Sequence, residues 1–239
     1  MQLQLLLPLL LLLFPSSTLA QTALERQALV DLYHQAGGKH WRNSNNWMSS
    51  TTICDWYGVT CSNSTTAAKP RRIIQFSLYD NLLQGTVPAS LSALTEVNYF
   101  ALSTNKLEGA IPMNLGSTFV HCQYFDLRYN FLNGTLPIGF KNMKNLTHLI
   151  LANNDFTDHG NLPKIVQGMT KLQYIDVRSN YLTGPAPSSL CQLNNVTFCG
   201  LVDVKYHTNN FAKPDCLFEK NLRGLSFEWC VHTHVCVHT

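Results

Sequence analysis

Three tyrosines, two arginines and two aspartates recur at repeating steps along this chain: Tyr99, Tyr124 and Tyr174, then Arg128 and Arg178, then Asp126 and Asp176. Tyrosine and arginine join a large contact area to polar handles, which is the chemistry of recognition surfaces. Asp126 and Asp176, on strands two apart, would stand about 9–10 Å from each other, a separation that also suits an inverting glycosidase. Such an enzyme needs a closed pocket that excludes water, and an open sheet offers none. No Gly-x-Ser-x-Gly elbow, His-Glu-x-x-His, phosphate loop or Cys-x-x-Cys occurs either. No enzyme is expected. A second group, Cys230, His232, His234, Cys236 and His238, has the donor types of a metal site. Strict alternation with no Gly or Pro turn lines these donors along an extended strand instead of around a tetrahedron. Neither a metal nor a cofactor is expected.

The elements that position the tyrosines are paced by six asparagines: Asn81, Asn105, Asn130, Asn154, Asn180 and Asn209, separated by 24, 25, 24, 26 and 29 residues. Each occupies one place in a hydrophobic frame, which in the first copy runs Ile73, Phe76, Leu78, Asn81, Leu83, Gly85, Val87, Pro88. The second copy is Val97, Phe100, Leu102, Asn105, Leu107, Gly109, Ile111, Pro112, and the third is Cys122, Phe125, Leu127, Asn130, Leu132, Gly134, Leu136, Pro137. One unit cannot bury its apolar side alone, so this period means stacked coils that share a core. Phe76-Ser77-Leu78 reads as a short strand, and the asparagine falls where the chain turns out of it. An amide that both donates and accepts can satisfy the turns of neighbouring coils. The fourth copy carries Asp158 where glycine is expected and two extra residues before Leu162-Pro163. The sixth is read as Leu201, Val204, Tyr206, Asn209, Phe211.

Side chains between the apolar positions face away from the core. One row across the copies is Gln75, Tyr99, Tyr124, His148, Tyr174 and Asp203. The next is Ser77, Ala101, Asp126, Ile150, Asp176 and Lys205, and the third is Tyr79, Ser103, Arg128, Ala152, Arg178 and His207. The ligand-binding residues expected on this concave face are Tyr79, Tyr99, Tyr124, Asp126, Arg128, Tyr174, Asp176 and Arg178.

The period is that of leucine-rich repeats, and the Gly-x-apolar-Pro form resembles their plant-type class. Residues 24 to about 216 share the resemblance. It implies an α/β solenoid: a right-handed superhelix with a parallel concave sheet and a disulfide-bonded N-terminal helical cap. The cap resemblance is carried by Leu32-Tyr33-His34-Gln35-Ala36-Gly37-Gly38-Lys39-His40-Trp41, by Asn46-Trp47, and by Cys54-Asp55-Trp56-Tyr57-Gly58-Val59-Thr60-Cys61. In this form it is most similar to secreted leucine-rich repeat proteins of protists, including trypanosomatid surface antigens. The cap so implied has a helix near Ala23–Gln35, with Leu24, Ala28, Leu29, Leu32 and Tyr33 on its apolar face, and a Cys54–Cys61 disulfide.

Composition shifts divide the chain into five parts. Residues 1–20 read as a secretory signal peptide with a short apolar run, 21–72 as the cap, and 73–200 as five repeats. Residues 201–217 read as a partial sixth repeat with a C-terminal cap, and 218–239 as a low-complexity tail not to be forced into structure. The tail's alternating Cys-Val and His-Thr read as translated TG/CA dinucleotide repeat, so a truncated gene is expected. Eight cysteines suit an oxidising compartment, and Asn63, Asn133, Asn145 and Asn195 are glycosylation sequons, the last three in expected surface turns. Cys191, Cys199 and Cys216 are expected to supply one bridge.

Charged residues make up 13% of the chain and its net charge is +3 with no basic block, so nucleic acid is not an expected partner. The mature chain has no expected membrane insertion, and its oligomeric state is open. Together these features imply a secreted or cell-surface module that binds a protein or glycan ligand. A secreted inhibitor of an extracellular hydrolase and a structural surface glycoprotein are the alternatives. Cys122 replaces an apolar residue of the frame, so it should be a buried free thiol. Peptide mass mapping that found it disulfide-bonded would overturn the register.

Overall fold

The computed structural model describes residues 18–64, 70–157, 160–193, 198–201 and 209–212. The described residues open with α1 (Thr18–Gln35) and a disulfide-closed loop, Cys54 to Cys61, ending in β1 (Val59–Cys61). Successive coils then supply β2 (Ile73–Ser77), β3 (Gln84–Thr86), β4 (Tyr99–Ala101), β5 (Lys106–Ala110), α2 (Leu115–Thr118), β6 (Tyr124–Asp126) and β7 (Phe131–Gly134). After them come β8 (His148–Ile150), β9 (Asp155–Phe156), α3 (Leu162–Val166), β10 (Tyr174–Asp176), β11 (Thr183–Pro185), β12 (Phe198–Gly200) and β13 (Asn210–Ala212). The long sheet has the order β1-β2-β4-β6-β8-β10-β12. From β2 onward it is parallel and in phase, with Gln75, Tyr99, Tyr124, His148, Tyr174 and Phe198 in one line.

The frame residues fill the interior. Ile73, Phe76, Val97, Phe100, Cys122, Phe125, Leu146, Leu149, Leu172 and Ile175 are all buried, and Cys122 is a free thiol whose Sγ donates to the Tyr124 carbonyl. Rings run from the cap into the repeats, as Trp47 lies 6.4 Å from Phe76, Phe76 5.8 Å from Phe100, and Phe100 5.3 Å from Phe125. The open end of the first coil is thereby sealed by aromatic surface.

Each turn is held by its asparagine. Asn105 Oδ1 accepts from the backbone N–H of Asn81 and of Leu83, both at 3.0 Å, while its Nδ2 donates to Leu78 O and Leu102 O. Asn130 repeats this one coil on, accepting from Leu107 N and donating to Leu102 O and Leu127 O, each at 3.0 Å. Asn154, Asn180 and Asn209 continue the series, and Asn81 exchanges bonds with the backbone of Asn43 in the cap. All six are buried.

Several expectations are corrected. α1 begins at Thr18, inside the segment assigned to the signal peptide and five residues before Ala23, because nothing in Thr18-Leu19-Ala20 stops a helix. Its buried face is Glu25, Ala28, Leu29 and Leu32, with Ala36 buried just past its end, whereas Leu24 is exposed. Arg72 Nε donates to Glu25 Oε1 at 2.8 Å, so a carboxyl held by an arginine takes a place on the buried face. The sixth strand is β12, not the segment around Asp203, and it precedes the boundary drawn at residue 201. Leu201, not Val204 or Tyr206, takes the place of Val177, and its carbonyl accepts from Asn209 Nδ2 at 2.8 Å. Five more residues than usual separate strand from asparagine there, so counting back from Asn209 gives a false frame. Asp203, Lys205 and His207 lie outside the described residues, as do Asn195, Asp158, Cys216 and the Cys/His tail; the bridge expected among Cys191, Cys199 and Cys216 cannot be placed in the described structure.

Two features have no counterpart in the repeat frame. β1 joins the long sheet antiparallel to β2, and β3, β5, β7 and β9 form a second parallel sheet beyond the asparagine turns. β9 has two residues and ends that sheet where the fourth copy carries its insertion; Gly160 there takes φ 92, two residues later than the usual glycine. β11 pairs with β13 in a separate ribbon.

Replacing Asn130 by Leu leaves Leu107 N buried without its partner, while Leu102 O and Leu127 O keep the bonds from Asn105 Nδ2 and Asn154 Nδ2. A loss of about 1–3 kcal/mol is expected in urea unfolding. Burial pushes the Glu25 carboxyl up from 4.5 to about 7 against the opposing attraction of Arg72. The native state then holds an extra proton between those two values, so stability should fall as pH rises from about 4.5 to 7 and level off above, by up to about 3 kcal/mol. Glu25→Gln should flatten most of that slope in melts run from pH 5 to 8.

Candidate functional site

Strand alternation sends Phe100, Phe125, Leu149 and Ile175 into the core and their neighbours to the opposite, open face of the long sheet. On that face the in-phase register stacks four rings. Tyr99 and Tyr124 lie 4.5 Å apart at an interplanar angle of 6°, Tyr124 and His148 5.3 Å apart, and His148 and Tyr174 5.6 Å apart. The spacing of parallel strands, about 4.8 Å, sets these distances. Ring faces are spent on one another along the row.

Next to the rings lie two repeated Asp-x-Arg units. Arg178 grips Asp176 with two parallel bonds, Nε to Oδ1 at 2.9 Å and Nη2 to Oδ2 at 2.8 Å, and its own N–H also donates to Oδ1. Asp126 accepts from Arg128 N at 3.1 Å and sits 3.3 Å from Arg128 Nε, while the Tyr124 hydroxyl donates to its second oxygen. Both aspartates are covered, at 2% and 4% exposure, which corrects their reading as contact residues. They lie beneath the arginines and hold them; the arginines, 37% and 31% exposed in their side chains, reach solvent. Burial raises Asp126 above the usual carboxylate value, with Arg128 opposing, and raises the Tyr124 hydroxyl, with Asp126 adding to the effect. Ile150 stands between the two carboxylates in register, and each is bound to its own strand's arginine. Tyr79 is exposed in the first repeat, at the place equivalent to Arg128, away from the ring row.

His148 belongs to the row legible in the sequence but not to the expected contact residues. A lone histidine gives no signal of its own; the in-phase register puts it between two tyrosines. Thr147 Oγ1 donates to Gln123 O at 2.8 Å, which uses its only proton, so it accepts from His148 Nδ1 at 2.9 Å. The ring therefore carries its proton on Nδ1 and keeps Nε2 as an acceptor. Burial lowers its proton affinity below the ordinary value.

Of the sequons, Asn63 and Asn133 are exposed. Asn145 is half-buried, donating to Val120 O at 2.9 Å and accepting from Lys171 Nζ at 2.8 Å, so its amide already links neighbouring coils. No group of three or more His, Cys, Asp or Glu is arranged to hold a metal among the described residues, and no helix among them is long and apolar enough to cross a membrane.

Comparison with known proteins agrees with this geometry. A leucine rich repeat N-terminal domain model matches residues 23–62, and a leucine rich repeat model matches 121–143 and 171–193. Phytosulfokine receptor 1 of Arabidopsis thaliana is 34% identical over 97 residues, covering 41% of this chain and 9% of the receptor. The Arabidopsis receptor protein-tyrosine kinase CEPR2 is 31% identical over 187 residues, covering 68% of this chain and 18% of its own length. A chain of the BIR3–SERK2 complex from the same plant superposes with a TM-score of 0.60 at 25% identity, covering 80% of this chain and 96% of that one. The molecule is a leucine-rich repeat solenoid with a disulfide-bonded N-terminal cap. The two curated relatives are plant receptors, and the chain spans less than a fifth of the length of each.

Two-dimensional ¹H–¹⁵N correlation across the histidine rings should show His148 as the Nδ1–H tautomer at neutral pH. A Nε2–H pattern would contradict the Thr147 bond.

Proposed function

We propose that this chain is a secreted or cell-surface recognition module whose concave face binds a protein or peptide partner. The observation that carries this reading is the ring row Tyr99–Tyr124–His148–Tyr174 beside two arginines fixed by buried aspartates. A contact surface held rigid before binding loses little entropy when a ligand arrives, and tyrosine and arginine are the residues that most often dominate such contacts. The names of the similar proteins point the same way: one is a phytosulfokine receptor, and one solved structure is a complex of two proteins. A non-catalytic role fits the open face. Glycosylation at Asn63, Asn133, Asn145 and Asn195, a glycan ligand, and the closer kinship with protist surface proteins stay within this proposal. The last rests on the cap string Leu32 to Trp41.

The test is capture from an extracellular extract by the purified protein, followed by identification and titration of what is retained. Tyr124→Ala and Arg128→Ala should each weaken the captured partner by about 2 kcal/mol or more, roughly thirtyfold. Lys141→Ala and Lys144→Ala, on the opposite side, should change affinity by less than about 0.5 kcal/mol. Undiminished affinity in both face variants, with a loss in the lysine variants, would refute the reading.

A further inference from the structure

We infer that the face opposite the ring row is a second docking surface, built for a linear carboxylated polysaccharide. Residues 111–123, 135–147 and 160–173 form that side of three successive coils and contain no Asp or Glu. They carry Lys141, Lys144, Lys164 and Lys171, all exposed, together with exposed His121. The coils hold these cations on one surface. Lys171 Nζ donates to Asn145 Oδ1 at 2.8 Å, next to Lys144, and Asn145 Nδ2 donates to Val120 O at 2.9 Å, next to His121. Gly168 packs so close to Lys141 that a Cβ there would fall 2.2 Å from its carbonyl oxygen. Glu96, which stands before Val97 as His121 stands before Cys122, marks the border of the patch.

The charge of this patch is uncompensated. Every ion pair among the described residues uses an arginine, Arg42, Arg72, Arg128 or Arg178, and none involves these lysines. Clustered like charges repel one another and gather counter-ions, which an anionic polymer displaces on binding. The surroundings of the lysines select among polyanions. Nucleic-acid bases stack on exposed aromatic rings, but Phe119 and Phe140 in these stretches are buried. An anionic membrane asks for a helix with one apolar and one basic face, whereas the helical segments here have four or five residues. Exposed Asn114, Ser117, Asn142, Gln167 and Thr170 interleave with the lysines and suit sugar hydroxyls. Lysines spread singly over two coils form a sparse array of point charges, which fits one carboxylate per sugar better than dense sulfate. The patch is separate from the ring row, so its occupancy does not depend on what the concave face binds.

The test uses the whole chain made without N-glycans, since a glycan on Asn145 would stand among the lysines. Labelled linear polygalacturonate is titrated by fluorescence anisotropy, beside sulfated dextran, duplex DNA and phosphatidylserine vesicles. Saturable binding of polygalacturonate is expected, weakened about tenfold or more between about 50 and 200 mM salt. Lys141→Glu and Lys144→Glu should each weaken it about fivefold, and Lys106→Glu, an equal change of net charge on the second sheet, by less than about twofold. Tyr124→Ala should leave it unchanged, which separates this surface from the concave one. These lysines are exposed, and a native far-ultraviolet dichroism spectrum for each variant establishes that the fold is kept. Absence of saturable binding, an equal loss in Lys106→Glu, insensitivity to salt, or tighter binding of the sulfated polymer, the DNA or the vesicles at equal charge would overturn the proposal.

Discussion

Everything on this molecule's surface depends on buried amides in its turns. A parallel sheet of three-residue strands has few ladder bonds of its own, and each coil must reverse direction inside the protein, where unpaired backbone groups are costly. One asparagine per coil resolves this by accepting from and donating to the preceding coil while also donating within its own. Because each amide spans two coils, it also fixes their phase. That phase stacks Phe100 on Phe125 inside and Tyr99 on Tyr124 outside. The core and the recognition surface are two faces of one registration.

The turns carry strain that the amides hold in place. The residue before each of the first five ladder asparagines has positive φ: Asp80 48, Thr104 57, Tyr129 55, Asn153 58 and Ser179 53. Left-handed backbone is unfavourable for most side chains and especially for a β-branched threonine. It persists because the following amide bonds over-determine the turn. The same conformation thrusts Tyr129 outward beside Phe131, so these exposed rings are a by-product of how the turns are closed.

The repeat frame was legible in the sequence because burial demands the same residue types at the same place in every coil. Phe76, Phe100 and Phe125 announce their positions by period alone, and Cys122 reads as apolar for that reason. Legibility fails where one residue departs from its class or where the count slips. Leu24 and Glu25 exchanged expected roles because a helix pattern does not show a partner as distant as Arg72. The sixth strand is hidden because an insertion between strand and asparagine leaves no mark when the asparagine is the only marker. The burial of Asp126 and Asp176 beneath Arg128 and Arg178 arises from side-chain packing that alternation does not encode. The second sheet is not legible in the sequence because its strands are short and carry the glycine of the Gly-x-apolar-Pro form, as in Lys106–Ala110.

The ladder is tested most directly by amide hydrogen exchange at the N–H groups that the asparagine oxygens accept. Those of Leu83, Leu107, Leu132, Phe156 and Leu182 sit in turns or at the start of short second-sheet strands, yet each is bonded to an asparagine Oδ1. If the buried amides organise the solenoid, these five exchange as slowly as the central amides of the long sheet and open with it as one unit. Exchange at the rate of ordinary surface turns, while the sheet stays protected, would contradict the account.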